Sequence, residues 1–276
     1  MQYKKTINIQ IIIGLKMALY SLDQVNQEYQ GPILSIQKPD GTVVNLNSNT
    51  FGNLFTYDNP DTYADGLSIE AILEGNPAYV YTWWDQSGNS QHLMQIVQGL
   101  QPIYDTILKT LVFNGNSYLA IQNGILPNGT SQYSYSIDFF SFDESQTGTY
   151  VLCEHNARTI TPCQRAALCI DNGNIGFKGV YNDAISNQIV NTTLRNKITL
   201  DVNNTIQSNI QITVNDTTPV IMNSAYNSQD TSGYQRLYLN NYWFGIGMNM
   251  STLESEGFSG LIYNLSITIP LAAPAP

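Results

Sequence analysis

The side chains best suited to chemistry in this sequence are few, and most are aromatic or acidic. Trp83 and Trp84 stand side by side, and Trp243 lies far downstream. With the 18 tyrosines they can stack on sugar rings while Asn and Asp side chains fix the hydroxyls. Successive residues of a strand point to opposite faces, so at most one of Trp83 and Trp84 is open to a ligand, and Trp243 is expected in the core. Trp84 leads into Asp85-Gln86-Ser87-Gly88-Asn89. This is a strand-ending turn in which Asp85 can accept backbone N–H bonds and Gly88 can supply a positive φ. Metal chemistry has little to draw on. Cys153, Cys163 and Cys169 fall within 17 residues, which permits one bridge and leaves one thiol over, but no CxxC or Cys/His spacing for zinc occurs. His92 and His155, the two histidines, are expected at the surface or in turns. There is no Asp-x-Asp-x-Asp calcium loop, so neither metal nor cofactor is expected.

The elements that must position these residues are mostly strands. Leu22, Val25 and Tyr29 recur at helical spacing from Ser21 and stop at Gly31-Pro32, which predicts a short helix. A hairpin follows, Ile33 to Gln37 and Val43 to Leu46 about Lys38-Pro39-Asp40-Gly41, and Ser68 caps a second short helix that runs to Glu74 and is closed by Gly75. Beyond it the helical period vanishes. Strands are predicted at 79–84, 110–113, 117–121, 135–142, 150–154, 167–171, 198–202, 210–214, 242–247 and 261–269. In the last, Leu261, Tyr263, Leu265, Ile267 and Ile269 are expected on one face. Many short strands between Asn/Gly-rich turns predict an all-β sandwich of two antiparallel sheets.

Composition narrows the function classes. Charged residues are 12% of the chain, about half the usual share, and Asn, Ser, Thr, Gly and Tyr fill the gap. Such a surface suits adhesion or sugar contact, although AT-rich coding produces the same bias. The net charge is −10 and the 11 basic residues are scattered, which excludes a phosphate-neutralising surface and so nucleic acid. Six Asn-X-Ser/Thr sequons are the number chance supplies in so Asn-rich a chain. Residues 1–16 form an N-terminal extension or a weak signal-like segment: Lys4-Lys5 precede an apolar run broken by Asn8 and Gln10 and too short to span a bilayer. Residues 17–269 are one domain and 270–276 a Pro/Ala tail.

Three segments in this order carry a resemblance. They are Ala18-Leu19-Tyr20-Ser21 with Tyr29-Gln30-Gly31-Pro32-Ile33-Leu34; Trp83-Trp84-Asp85-Gln86-Ser87-Gly88-Asn89 with Gln101-Pro102-Ile103; and Phe244-Gly245-Ile246-Gly247 with Gly257-Phe258-Ser259-Gly260-Leu261-Ile262-Tyr263. Together they resemble the concanavalin A-like (laminin-G-like) jelly-roll catalytic domain of family-B α-L-arabinofuranosidases, over about residues 18 to 269. The resemblance implies a retaining glycosidase, which needs two carboxyl groups about 5–5.5 Å apart. It also implies an acid/base aspartate just after the Gly-Ile-Gly, where this chain has Asn249 between Met248 and Met250. An amide can neither donate that proton nor take it back. The implied nucleophile follows a strand with two adjacent cysteines; here the stretch holds Cys153 alone and Glu154 beside it, with Glu254 on the later loop as a substitute acid.

The reading is therefore a concanavalin-like jelly roll that kept the scaffold and lost the hydrolysis. It is expected to act as a glycan-binding or attachment module, extracellular or on a virion surface, with Trp84, Asp85, Glu154 and Asn249 as ligand residues. Two alternatives stand beside it: a structural or particle-decoration protein, and a residual hydrolase using Glu154 and Glu254. The expected partners are carbohydrate or other particle proteins, with a homo-oligomer compatible with either.

Overall fold

The structure is a computed structural model. It describes residues 14–48, 54–56, 68–122, 124–126, 132–142, 147–156, 165–178, 184–203, 209–217, 219–223, 243–248 and 256–270. In chain order the strands are β1 (Gly14–Ser21), β2 (Leu34–Gln37), β3 (Val43–Ser48), β4 (Leu54–Thr56), β5 (Ala78–Trp83), β6 (Leu93–Met94), β7 (Ile103–Asp105), β8 (Thr110–Asn114), β9 (Leu119–Gln122) and β10 (Gln132–Ser141). They continue as β11 (Thr149–Asn156), β12 (Arg165–Asp171), β13 (Asn174–Lys178), β14 (Ala184–Ile189), β15 (Asn196–Asn203), β16 (Asn209–Val214), β17 (Val220–Asn223), β18 (Trp243–Ile246) and β19 (Ser259–Pro270). The one α-helix among the described residues, α1 (Ile69–Leu73), is the one predicted. The Ser68 hydroxyl accepts from the Ala71 N–H at its start, and Glu74 closes it in the left-handed region.

All these strands pair antiparallel. One layer runs β1–β19–β10–β15–β16–β17. The other runs β4–β3–β2–β5–β6–β9–β18–β11–β12–β13–β14. Strands β7 and β8 join the two by pairing with β5 and with the first residues of β19. Ring contacts across the core show that the layers face each other. Tyr135 of β10 lies 6.3 Å from Phe244 of β18, and Tyr20 of β1 lies 5.5 Å from Trp83 of β5. Burial follows the two-residue period: Tyr133, Tyr135, Ile137 and Phe139 of β10 are enclosed, and Ser134, Ser136 and Asp138 face outward. Each such enclosed side chain stabilises the fold by about 2 kcal/mol. The result is an all-β jelly-roll sandwich.

Three expectations change. No helix forms after Ser21. Residues 22–33 are irregular because Gln86 supplies the hydrogen bonds a helix would have made. Its amide donates to the Ser21 and Asp23 carbonyls, its Oε1 accepts from the Val25 N–H, and its own carbonyl accepts from Asn26. Alternation in β19 is not continuous: the pairing jumps from Asp138–Asn264 to Phe139–Ile262, so a bulge at Tyr263 flips the parity. Ile262 is then fully buried along with Leu265 and Ile267, and Tyr263 comes to the surface. Finally, β1 begins at Gly14 and its first residues pair with Pro270, Ile269 and Thr268, so the ladder crosses both domain boundaries drawn at 16/17 and 269/270.

Candidate functional site

Glu154 sits near the middle of a row that crosses the second layer at right angles to its strands. Register links Ser35, Thr82, Met94, Ala120, Gly245, Glu154, Ala167 and Lys178 in turn. Paired residues share a face, and this one is the outer face, because the flanking residues of the same strands turn inward. His155 packs 4.6 Å from Phe244 inside the sandwich, and Cys153 opposes Ile246 and Leu168 there. The neighbours of Glu154 in the row are thus glycine and alanine, and the strip around it carries almost no side-chain bulk. Glu154 itself is fully buried.

Two aromatic residues flank this strip. Trp243 lies two residues before Gly245 on β18 and shares its outward face. It and Tyr118 are half-buried against Ala120 and Met248. The core placement expected of Trp243 is therefore wrong: Phe244 and Ile246 take the inward positions, and alternation alone puts Trp243 outside. That alternation was readable in Trp243-Phe244-Gly245-Ile246 and was the missed signal. Just past β18, Gly247 holds φ +88° with Phe113 and the Ser117 carbonyl packed where a Cβ would stand, which fixes the exit of the chain. Asn249 and Glu254 lie outside the described residues, as does Cys163.

His155 is a core residue, correcting its expected surface position. Its Nε2 accepts from the Ile125 and Leu126 N–H groups at 3.3 and 3.4 Å. Burial pulls its pKa from the usual 6.5 down to about 3, so the ring is neutral. A neutral ring that accepts at Nε2 carries its proton on Nδ1 and donates it to the Tyr135 hydroxyl, 2.5 Å away on the opposite layer. Burial also raises the Cys153 thiol far above its ordinary value, with the Glu154 charge adding to the effect, so Cys153 is no nucleophile. Cys153 and Cys169 are not bonded to each other. A bulge between Val151 and Cys153 sets Cys153 opposite Leu168 and Cys169 opposite Val151, on opposite faces of the sheet.

The Trp84–Asp85 pair is a different kind of place. Both oxygens of Asp85 are used twice: Oδ1 accepts from the Leu19 and Ser87 N–H groups, and Oδ2 from the Gln91 N–H and the Ser87 hydroxyl. Four bonds fill a carboxylate, and Asp85 is fully buried. Its work is to bind the turn to β1. Trp83 points into the core, where its Nε1–H donates to the Ser21 carbonyl. Trp84 takes the outer face, its Nε1–H donating to the Ser35 hydroxyl at 2.7 Å and its ring 4.4 Å from His92. Trp84 and Glu154 therefore lie on one face of one layer. Four strand steps separate their places in the row, about 19 Å, too far for a single sugar to touch both. Among the described residues no cluster of His, Cys, Asp or Glu could hold a metal ion, and no helix is long and apolar enough to cross a membrane.

Solved structures share this arrangement. A GH54 α-L-arabinofuranosidase variant soaked with 4-nitrophenyl α-L-arabinofuranoside superposes with a TM-score of 0.60 at 12% identity over 94% of this chain. The same enzyme type soaked with a cyclic sulfate inhibitor gives 0.60 at 13% identity, and an arabinofuranosidase complexed with arabinofuranosyl-α-1,2-xylobiose gives 0.56 at 13%, each again over 94% of this chain. The fold is the arabinofuranosidase sandwich. The chain spans 60% of the length of each of these three structures. No protein-family profile matches the sequence, and no curated protein does. At such identity the arabinofuranosidase likeness is one of fold, and the chemistry has to be argued from the residues above.

Proposed function

We propose that this chain is a non-catalytic carbohydrate-binding or attachment module. Its ligand is an oligosaccharide laid along the outer face of the second layer. The observation that carries the reading is the pair of partly exposed aromatic residues, Trp243 and Tyr118, on the outer face of the second layer. Aromatic faces stack on sugar rings. Trp84 lies on the same face, three strand steps or about 14 Å from the strand of Trp243, and would meet the far end of a chain of several sugars. Glu154 and Asn249 stay in the proposal as the residues whose substitution tests the ligand contact.

Loss of hydrolysis rests on two supports. Asn249 stands where the resemblance calls for a proton donor, and Glu154 has no surface from which to attack an anomeric carbon. Exposure of such a module at a cell exterior or particle surface belongs to the same proposal. A glycan array with the full chain tests it: saturable binding, lowered at least about tenfold in Trp243→Ala, is the expected result. Arabinose release from 4-nitrophenyl α-L-arabinofuranoside that disappears in Glu154→Gln would overturn the non-catalytic reading. Absence of all glycan binding, with the chain found in purified particles, would replace it with a structural role.

A further inference from the structure

Trp84 belongs to a side-chain cluster of its own on the outer face of the second layer. Trp83 and Leu93 are the last pair of the β5–β6 ladder, so Trp84 and His92 face each other just past its end, their ring centroids 4.4 Å apart. Beside them register sets a short row of Asn45, Ser35, Thr82 and Met94. The Trp84 Nε1–H donates to the Ser35 hydroxyl at 2.7 Å, and that hydroxyl donates to Asn45 Oδ1 at 2.6 Å. The relay holds the indole in place and fixes the Asn45 amide, whose Nδ2 hydrogens are left for solvent because Asn45 is exposed. His92 is fixed as well. Its Nδ1 accepts from the Asp85 N–H at 3.1 Å, and burial holds its pKa below the usual 6.5, so the ring is neutral and carries its proton on Nε2.

Among the described residues neither His92 Nε2–H nor Asn45 Nδ2–H has a protein partner. Both are donors. The nearest carboxylate, Asp85, is filled by its four hydrogen bonds and cannot take a hydroxyl proton. The apolar surface is the indole itself and Met94, which is 42% exposed. A plain hexose presents hydroxyls that ask for acceptors as well as donors. An acetamido group fits this cluster better, because it offers a carbonyl to an N–H and a methyl to apolar surface. We propose that this cluster is a subsite for an N-acetylhexosamine. Its ring would lie on Trp84, its acetamido carbonyl would accept from His92 Nε2–H with the methyl against Met94, and a ring hydroxyl would accept from Asn45 Nδ2–H. The proposal rests on the carbohydrate reading above and names the sugar that the Trp84 end of that face takes.

The test is a titration of the full chain with N-acetylglucosamine, followed by the ring resonances of the two histidines, with glucose and acetamide as controls. His155 is enclosed in the core and serves as the internal reference. N-acetylglucosamine should move the His92 signals saturably and leave those of His155 in place. Glucose and acetamide should each bind at least about tenfold more weakly. Asn45→Asp keeps the acceptor for Ser35 and loses the N–H donor, and should weaken binding about three- to tenfold. It should melt within a few degrees of the parent, since Asn45 is exposed. Trp84→Ala should abolish saturation. Unmoved His92 signals, glucose as effective as N-acetylglucosamine, or full binding in Asn45→Asp would each overturn the proposal. A glycan array separates the two failures. If glycans without acetamido groups bind and Asn45→Asp changes nothing, the subsite is wrong and the carbohydrate reading stands; if no glycan binds, both fall.

Discussion

The two outer faces of this sandwich are built from the same antiparallel pairing and are chemically opposite. On the first layer, register lines up Leu19, Ser266, Ser136, Thr199 and Thr213, and beside them Ser21, Asn264, Asp138 and Lys197. That face is almost wholly polar, and its second row is linked side chain to side chain. On the second layer the corresponding row runs through Ala120, Gly245, Glu154 and Ala167, with Trp243 and Tyr118 beside it. A polar face satisfied by its own hydrogen bonds gains little from a partner. On the second layer the small residues of the row are already buried, and Trp243 and Tyr118 keep part of their surface exposed. The contrast teaches that a β-sandwich can make one outer face polar and the other apolar without any change of backbone plan.

The largest expected effect strikes what both faces depend on. Asp85→Ala removes the acceptor for three backbone N–H groups and frees the turn from β1, so stability should fall by about 3–5 kcal/mol, measured by chemical denaturation. The contact between the layers should respond to acid. The unfolded His155 binds a proton near pH 6.5, whereas the folded residue does so only near 3. The unfolded state therefore holds more protons in that window and stability rises with pH across it. Parent protein should lose about 1.4 kcal/mol per pH unit below pH ~6 from this residue, over and above the slope of His155→Gln.

Bulk placed on the outer face of the second layer comes next. Gly245→Val sets a branched side chain between Ala120 and Glu154 and should cost about 1–3 kcal/mol in a thermal melt; equal stability would mean the strip is not packed as described. The mirror experiment on the polar face should do least. Ser136→Ala, at the centre of that face, should change stability by under about 0.5 kcal/mol, and a larger loss would break the comparison.

Much of this was legible in the residues. Period-two alternation in β10 and the Asn/Gly-rich turns determine a two-layer β protein, and the Ser68 cap with Glu74 and Gly75 determines α1, because these signals act over one turn or one strand. Asp85 and Gly88 likewise mark their turn locally. What the sequence could not carry depends on partners far along the chain. Gln86 cancels a helix 60 residues earlier by offering its backbone other hydrogen bonds. The bulge at Tyr263 is set by pairing with β10, and it moves a ring expected inside to the surface beneath Arg195. His155 becomes a neutral core residue only because Tyr135 and the 125–126 backbone surround it. The row that gathers Ala120, Gly245 and Glu154 joins three strands distant in sequence. Local propensity and periodicity are properties of neighbours along the chain, whereas register, parity and burial are decided by which strand lies alongside, and only the folded sheets supply that.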